Sequence, residues 1–272
     1  MNRVIKQAAF WFLVFIFVAL LLFPLYILFK ISISAPQDIF VPRPPYLIRH
    51  MTLEHFRDIF SSGQALLSPL LKSVITAFLT SVLSLLICVP AAYAISKFHF
   101  RIRYALVLLI FMTRMIPEVS IALPISITFI KIGLFDTTLG LILAHLVRIL
   151  PISCFILVGV FCAFPAELER QAFIDGASRV KAFIRVVMPL TLGGISVAGI
   201  FSFLLSWDEF VYASYLSLAK PTMPLKMYYY ISRGDIFSSA TYAVIITLPV
   251  LILTLALQKY IKPDYLTGAI KG

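Results

Sequence analysis

The sequence predicts an all-α integral membrane protein with six transmembrane helices. Of its 272 residues, 61% are hydrophobic and only 13% are charged, whereas soluble domains are about 45–50% apolar. A chain of this length with so few charges cannot cover its surface with water-compatible groups, so lipid must surround most of it. The apolar residues form continuous runs and do not alternate with polar ones, which favours helices over a β-barrel.

Six runs are long enough to cross a hydrocarbon core about 30 Å thick, which needs about 20 helical residues. The third and fourth runs each carry two ionisable residues, and the other four carry no charge. The runs are 7–29, 73–96, 104–129, 137–162, 186–207 and 236–258.

The net charge of +11 does not indicate a nucleic-acid-binding protein, because the Lys and Arg residues lie in short blocks between apolar runs. With six spans both termini lie on the same side. The loops and termini on that side hold twelve Lys or Arg, against seven on the other side. Since loops rich in these residues remain in the cytoplasm, we expect both termini to be cytoplasmic.

Two connections are long for a membrane bundle, and loops of that size usually have a function. We call them the outer loop (32–69), which is rich in proline, and the inner loop (163–189). The expected organisation is a first helix with the outer loop (1–68), a transmembrane core that includes the inner loop (69–262), and a C-terminal tail (263–272).

The inner loop has the pattern of two short helices joined at a turn. Acidic Glu167 and Glu169 suit the start of the first helix. Gly176 can adopt a positive φ and end that helix, and Asp175 or Ser178 can cap the second.

The second short helix is expected to have one apolar face, because four apolar residues recur there at helical spacing. They are Val180, Phe183, Ile184 and Val187. Such a helix either lies in the lipid headgroups or forms a rigid element that a cytoplasmic partner grips, and the pattern leaves both interpretations open.

Polar side chains inside the spans are costly and need partners. Arg114 and Glu118 are four residues apart, so they share a helix face and can pair; His145 and Arg148 share a face of the next span. These residues either join helices or line a solute path. Two prolines of the third span are expected to kink or break it: Pro117 and Pro124.

Trp207, Asp208 and Glu209 lie towards the end of the fifth span. Adjacent residues do not share a helix face, so we expect the two acids to have different partners, on the solute path or on a sister subunit. Several tyrosines are expected at the outer membrane interface: Tyr212, Tyr215, Tyr228, Tyr229 and Tyr230.

The chain contains no motif that would make it an enzyme. It has no Gly-x-x-x-x-Gly-Lys-Ser/Thr loop for ATP, no Gly-x-Ser-x-Gly and no His-Glu-x-x-His. Its four histidines form no metal-ligand pattern. Energy for transport would therefore come from another subunit or from an ion gradient.

The inner loop resembles the EAA loop of binding-protein-dependent ABC importers. The resemblance rests on Asp175-Gly176-Ala177, followed by Phe183 and Pro189. In that family the loop forms a coupling helix that seats in a cleft of the ATPase subunit. The family's Glu-Ala-Ala aligns here with Arg-Gln-Ala (170–172), and Glu169 lies one position earlier.

Other segments resemble carbohydrate permeases of this family in the same order along the chain. They are 91–98, Arg114-Met115-Ile116-Pro117, Leu123-Pro124, 133–137, 140–143, Phe203 with Trp207-Asp208-Glu209-Phe210 (Asp in place of Asn), and the tail 266–272, which is similar to that of MalG-type subunits.

The resemblance implies a type I ABC importer permease (MetI-like) with a cytoplasmic coupling helix, in the plasma (inner) membrane of a prokaryote. It would move a di- or oligosaccharide inwards by alternating access. Its partners would be a second, MalF-like permease, a dimer of ATP-binding subunits that holds ATP and Mg²⁺, an extracytoplasmic solute-binding protein and membrane lipid. The chain itself would bind no cofactor, no metal and no nucleic acid.

The resemblance also assigns roles to residues. Contacts that couple the chain to the ATPase are expected at Glu169, Ala172, Asp175, Gly176, Ala177, Phe183, Lys271 and Gly272. The candidate solute path is Arg114, Glu118, Trp207, Asp208 and Glu209.

Two alternatives remain open at this point. The importer could carry a polyamine or another small polar solute. A carrier driven by an ion gradient would act without a partner and would give the inner loop no required ligand; inverted repeats would favour it.

Overall fold

A computed structural model describes residues 2–61 and 66–261. It confirms that the fold is all-helical. Within these residues the α-helices are α1 (Asn2–Ile33), α2 (Pro36–Ile39), α3 (Glu54–Ser61), α4 (Leu67–Ser96), α5 (Phe100–Met112), α6 (Glu118–Lys131), α7 (Thr138–Cys162), α8 (Ala166–Ile174), α9 (Arg179–Ala182), α10 (Met188–Leu190), α11 (Leu192–Trp207), α12 (Val211–Leu216), α13 (Met223–Ser232) and α14 (Ile236–Ile261).

In the described part of the chain, four helices are long and apolar enough to cross a membrane: Lys6–Ile33, Leu67–Ser96, Thr138–Cys162 and Ile236–Ala256. The remaining two apolar runs are broken. Phe100–Met115 and Glu118–Lys131 meet at 82°, and Arg179–Leu190 and Leu192–Trp207 meet at 75°. Six spans result if each bent pair is counted as one.

The first bend has the cause that the sequence predicts. Proline lacks an amide hydrogen and forces the residue before it out of the helical conformation. Ile116, which precedes Pro117, has φ −76° and ψ 125°, so the helix cannot continue through it. Pro124 does not break the helix, since it lies inside α6.

The second bend was not expected. The charge-free run 186–207 suggested one continuous helix, but the helix stops at Thr191, whose ψ is 6°. The Thr191 hydroxyl donates to the Val187 carbonyl at 2.8 Å, and this kind of side-chain bond competes with regular helix geometry. A run of apolar residues reports burial in lipid, and carries no information on such a local bond.

The described chain forms two compact units. The first contains the residues up to Leu67 and Lys226–Pro249, and the second contains Ser68–Leu225 and the described residues from Val250 onwards. The functional division into 1–68, 69–262 and 263–272 stays a prediction, and the tail lies outside the described residues.

In the first unit, aromatic contacts fix the outer loop to the start of α14. His55 stacks on Phe237 with ring centroids 4.4 Å apart, and Phe40 meets the same ring edge-on at 5.5 Å. Asp38 joins two parts of the loop, because its carboxylate accepts hydrogen bonds from the His50 amide at 2.9 Å and from the His50 ring at 3.0 Å.

In the second unit, α4, α7 and α11 pack closely around small side chains. Ala92, Leu157 and Ala198 are fully buried at the centre of this packing. A chain of hydroxyls crosses it: Ser84 donates to Ser153 at 3.0 Å, and the Ser153 and Ser202 hydroxyls are hydrogen-bonded at 2.8 Å. Small residues let membrane helices approach, and their hydroxyls bond across the interface.

A second apolar cluster joins α6, α7 and α12 in the same unit. The short helix α12 packs its buried face against the other two helices. The buried members of the cluster are Ala122, Leu141, Ala144, Tyr212, Ala213 and Leu216.

The start of α7 passes directly under the turn that precedes it. Thr137 caps the helix, since its hydroxyl accepts the Gly140 amide at 3.0 Å. A Cβ atom on Gly140 would lie 2.2 Å from the Leu134 carbonyl oxygen and 3.2 Å from the Phe129 ring. Because the nearest obstacle is backbone, only glycine fits at this position.

We predict that Gly140→Ala destabilises the protein by about 1–3 kcal/mol, because the turn or the helix must shift. The measurement is thermal unfolding in detergent. Gly159→Ala is the matched control on the same helix, since nothing lies within 4 Å of its Cβ position. Equal melting temperatures for the two variants would contradict the close approach at Gly140.

The outer loop is predicted to loosen in acid. The hydrogen bond from the His50 side chain, with that from its amide, holds the pKa of Asp38 below its ordinary value of 3.8. A lowered pKa stabilises the fold at pH values above the ordinary value, and this contribution is lost as the pH falls through the lowered pKa.

The check is hydrogen–deuterium exchange of the peptide that contains His50, corrected for intrinsic rates. Protection should fall as the pH drops from about 5 to about 3, and Asp38→Asn should remove this dependence. Glu54→Gln, which alters an exposed acid of the same unit, should keep it. Protection that is independent of pH in the unaltered chain would refute the role of Asp38.

Candidate functional site

The first helix of the inner loop ends as its sequence predicts. Gly176 follows α8 with φ +80°. Its amide donates to the Phe173 carbonyl at 3.0 Å, and the Ala177 amide donates to the Ala172 carbonyl at 2.9 Å. This pair of bonds is the Schellman motif, which satisfies the last carbonyls of a helix. Asp175 and Gly176 therefore lie at a rigid, exposed tip.

The second helix starts as expected but then changes geometry. Ser178 caps α9, since its hydroxyl accepts the Lys181 amide at 3.3 Å. The turn Phe183–Val187 that follows is π-helical, so the chain advances by more residues per turn than in an α-helix.

The predicted apolar face of the second helix is therefore wrong. Val180 is 67% exposed and Ile184 is 54% exposed, whereas Ala182 and Val187, five residues apart, are buried. The wider π turn replaces the spacing of three and four residues with one of five. Five large apolar side chains of the inner loop are exposed: Leu168, Phe173, Ile174, Val180 and Ile184.

The residues predicted to contact the ATPase differ in their exposure to solvent. Asp175 and Gly176 are exposed, Ala177 and Phe183 are half-buried, and Ala172 is buried. Glu169 is also buried, at 6% exposure, so it does not lie on the loop's surface as expected. Lys271 and Gly272 lie outside the described residues.

A cavity of about 520 Å³ lies beside the first bend, in the second unit. Its walls are mainly apolar side chains of α4, α5, α6 and α7. Its polar members are Thr113, Arg114, Glu118, Arg148 and Tyr212. Tyr212, expected at the membrane interface, is instead 1% exposed and contributes to this wall.

Glu118 holds the charged part of the cavity together. Its Oε1 atom lies 3.2 Å from Arg114 Nη1 and 3.4 Å from Arg148 Nε. Arg114 also donates to the Arg148 carbonyl at 3.3 Å. The pairing of Arg114 with Glu118 agrees with the prediction, but its reason does not, because the bend at Pro117 separates the two residues and they share no helix face.

Trp207, Asp208 and Glu209 lie at and just beyond the end of α11, and not within a span as expected. Trp207 is 1% exposed and stacks on Phe203 with ring centroids 5.9 Å apart. Asp208 is exposed, and its charge interacts with those of Arg148 and Glu118. Of the three, Asp208 alone has charge neighbours in the cavity wall.

Glu209 is 1% exposed and all its contacts are inside the protein. Its two carboxylate oxygens accept the amides of Tyr212 at 2.8 Å and Ala213 at 3.1 Å, at the start of α12. The ring of His145 lies 3.1 Å from the same carboxylate and bonds Ser206 at 2.7 Å on its other side. His145 and Arg148 thus have separate partners, although they share a helix.

The arrangement has the chemistry of a protein that binds a polar solute and moves it. Among the described residues, no group of three or more His, Cys, Asp or Glu side chains is placed to hold a metal ion. The cavity offers guanidinium, carboxylate, hydroxyl and apolar surface, and these groups bind polar solutes by hydrogen bonds and packing. The inner loop offers a capped tip with exposed Ile174 beside it.

Residues 84–266 match the family of binding-protein-dependent transport system inner membrane components. The match covers more than half of the chain, so the protein belongs to this family. It is a multi-pass membrane subunit of an ABC transport system, and its part is transport and not catalysis.

Named relatives agree with this membership. The permease SugB of a trehalose transport system of Mycobacterium tuberculosis is 30% identical over 228 residues, 82% of this chain and 83% of SugB. MalG of a trehalose/maltose transport system of Thermococcus litoralis is 28% identical over 260 residues, 92% of each chain. The resemblance to MalG-type subunits is thereby confirmed.

A solved structure shares the fold. It is a bacterial ABC transporter involved in the import of the acidic polysaccharide alginate, and it superposes with a TM-score of 0.78 at 20% identity over 96% of this chain and 98% of that one.

The two adjacent acids are predicted to respond differently to loss of charge. Glu209→Gln leaves one backbone amide of α12 without its acceptor, so we expect a loss of about 1–3 kcal/mol in stability. Asp208→Asn should leave the melting temperature unchanged, because Asp208 is exposed. Thermal unfolding in detergent compares them, and similar effects of the two variants would contradict the buried cap.

Proposed function

We propose that this chain is the MalG-like permease of an ATP-driven importer that takes up a di- or oligosaccharide by alternating access. It works with a second, MalF-like permease, a dimer of ATP-binding subunits that holds ATP and Mg²⁺, and an extracytoplasmic solute-binding protein. The chain lies in the plasma membrane of a prokaryote with both termini in the cytoplasm, an orientation that the distribution of Lys and Arg supports.

The observation that carries this proposal is the shape of the inner loop. Its Schellman turn at Gly176 fixes an exposed tip, and Ile174 beside that turn is 84% exposed. Phe173, Val180 and Ile184 of the same loop are exposed as well, and a group of exposed apolar side chains is typical of a surface that another protein covers. A cleft of the ATPase is the partner that the family membership supports.

The choice of a sugar rests on two further observations. Two relatives carry trehalose or maltose in their names. The cavity wall contains two arginines and one glutamate, and with the nearby charge of Asp208 it is not net negative. Such a wall offers a cationic polyamine no net negative charge to bind, whereas arginine and carboxylate groups both bond sugar hydroxyls.

We predict that Gly176→Pro abolishes coupling to the ATPase. Proline fixes φ near −65° and has no amide hydrogen, so both the +80° turn and the bond to Phe173 are lost. Gly176→Asn is the matched control, since asparagine tolerates positive φ. The measurement is copurification of ATP-binding subunits from detergent, followed by ATP hydrolysis driven by the loaded binding protein.

The unaltered chain and Gly176→Asn should copurify with two ATP-binding subunits, and hydrolysis should rise with trehalose or maltose and not with spermidine. Gly176→Pro should lose assembly or stimulated hydrolysis while its spans remain folded. A chain that purifies alone and transports in liposomes without ATP would overturn the importer in favour of an ion-coupled carrier. Stimulation by spermidine alone would overturn only the choice of solute.

A further inference from the structure

We infer that Glu169 is a positioning residue that fastens the inner loop to the C-terminal end of α4, and that it makes no contact with the ATPase. This inference rests on the proposed function, because it assigns the route by which movement of the inner loop reaches the transmembrane helices. It also gives a role to Tyr93 and Lys97 of the segment 91–98, which resembles carbohydrate permeases.

Glu169 is held by two donors from one face of α4. Its Oε1 atom accepts the hydroxyl of Tyr93, and its Oε2 atom accepts the ammonium group of Lys97. Tyr93 and Lys97 are four residues apart, so they project from the same side of the helix end. A buried carboxylate with both oxygens bonded, one of them to a charge, is held more firmly than a surface ion pair.

The ring of Tyr93 extends the same attachment to two other segments. It lies 4.4 Å from the ring of Phe183 in the π turn and meets Phe161 of α7 edge-on at 5.8 Å. The Lys97 ammonium lies 4.8 Å from the centre of the Tyr93 ring. Tyr93 therefore contacts α8 and the π turn of the inner loop, and also the end of α7.

The neighbours of Glu169 on α8 show that its burial is specific. Glu167 and Arg170 are exposed, whereas Glu169 is 6% exposed. The charged side chains of α8 that a partner can reach are thus Glu167 and Arg170. Glu169 is occupied by its contacts inside the second unit.

The attachment supplies a second mechanical route from the inner loop to the bundle. The first route is covalent, since the chain runs from α9 through α10 into α11. The second is the bond from Glu169 on α8 to Tyr93 and Lys97 on α4. With both routes intact, a displacement of the loop moves α4 and α11 together; without the second, α4 is left behind.

The test uses the assembled importer in liposomes, with its ATP-binding subunits and sugar-loaded binding protein. Glu169→Gln weakens both bonds, and Tyr93→Phe keeps the ring contacts but removes one bond. Lys97→Glu combined with Glu169→Lys restores an ion pair with reversed charges. Glu167→Gln is the control, an exposed acid on the same helix. The quantities measured are copurified ATPase and sugar imported per ATP hydrolysed.

We expect Glu169→Gln to retain the ATPase and to lower sugar imported per ATP between about twofold and thirtyfold, the range of coupling that single residues of such networks carry. Tyr93→Phe should give a smaller drop in the same ratio, and Glu167→Gln none. The reversed pair should recover most of the ratio, because it restores the ion pair between α8 and α4. Retention of the ATPase with a lowered ratio is the result that a purely structural role in folding would not produce.

Two results would overturn the inference while the proposed function stands. Glu169→Gln that loses the ATPase, as Gly176→Pro is expected to, would place Glu169 in the contact with that subunit. An unchanged ratio of sugar to ATP would show that the bonds to α4 transmit nothing. Absence of any ATPase with the unaltered chain would overturn the proposed function, and this inference with it.

Discussion

In the hydrocarbon interior of a membrane, a polar group has no water to bond and must find its partner within the protein. The second unit of this chain follows that constraint. The hydroxyls of Ser84, Ser153 and Ser202 bond one another where three helices meet. Glu209, 1% exposed, accepts two amides at the start of α12 and faces His145. These polar groups hold elements together that apolar packing in lipid would orient only weakly.

The same constraint explains where the helices are allowed to break. A break leaves some backbone groups without partners in their own helix, and contacts close to the break support the chain there. At the first bend the chain turns by 82°, and Arg114, Glu118 and Arg148 join the two halves to α7 through side-chain and carbonyl contacts. The cavity beside the bend thus has supported edges, which agrees with the proposal that this span lines a solute path.

Sequence reasoning located the features that depend on composition and on single residues. Apolar runs gave the spans, Pro117 gave the first bend, and Gly176 gave the turn of the inner loop. It did not find the bend at Thr191 or the π turn after α9. Each depends on one local hydrogen bond or one extra residue per turn, and a periodic pattern assumes that neither occurs.

The structure of the inner loop differs from the expectation in two places, the turn after α9 and the side chain of Glu169. Both differences affect the surface that a partner protein would recognise. After α9 the π turn buries Val187 while Val180 and Ile184 are exposed, and the bonds to α4 withdraw Glu169 from the surface. What the loop offers outwardly is therefore a set of apolar side chains among charged ones, with Asp175 at the tip and Arg170 at the position where the family has an acid. A partner that fits this surface needs an apolar cleft, and an acid on its rim would complement Arg170.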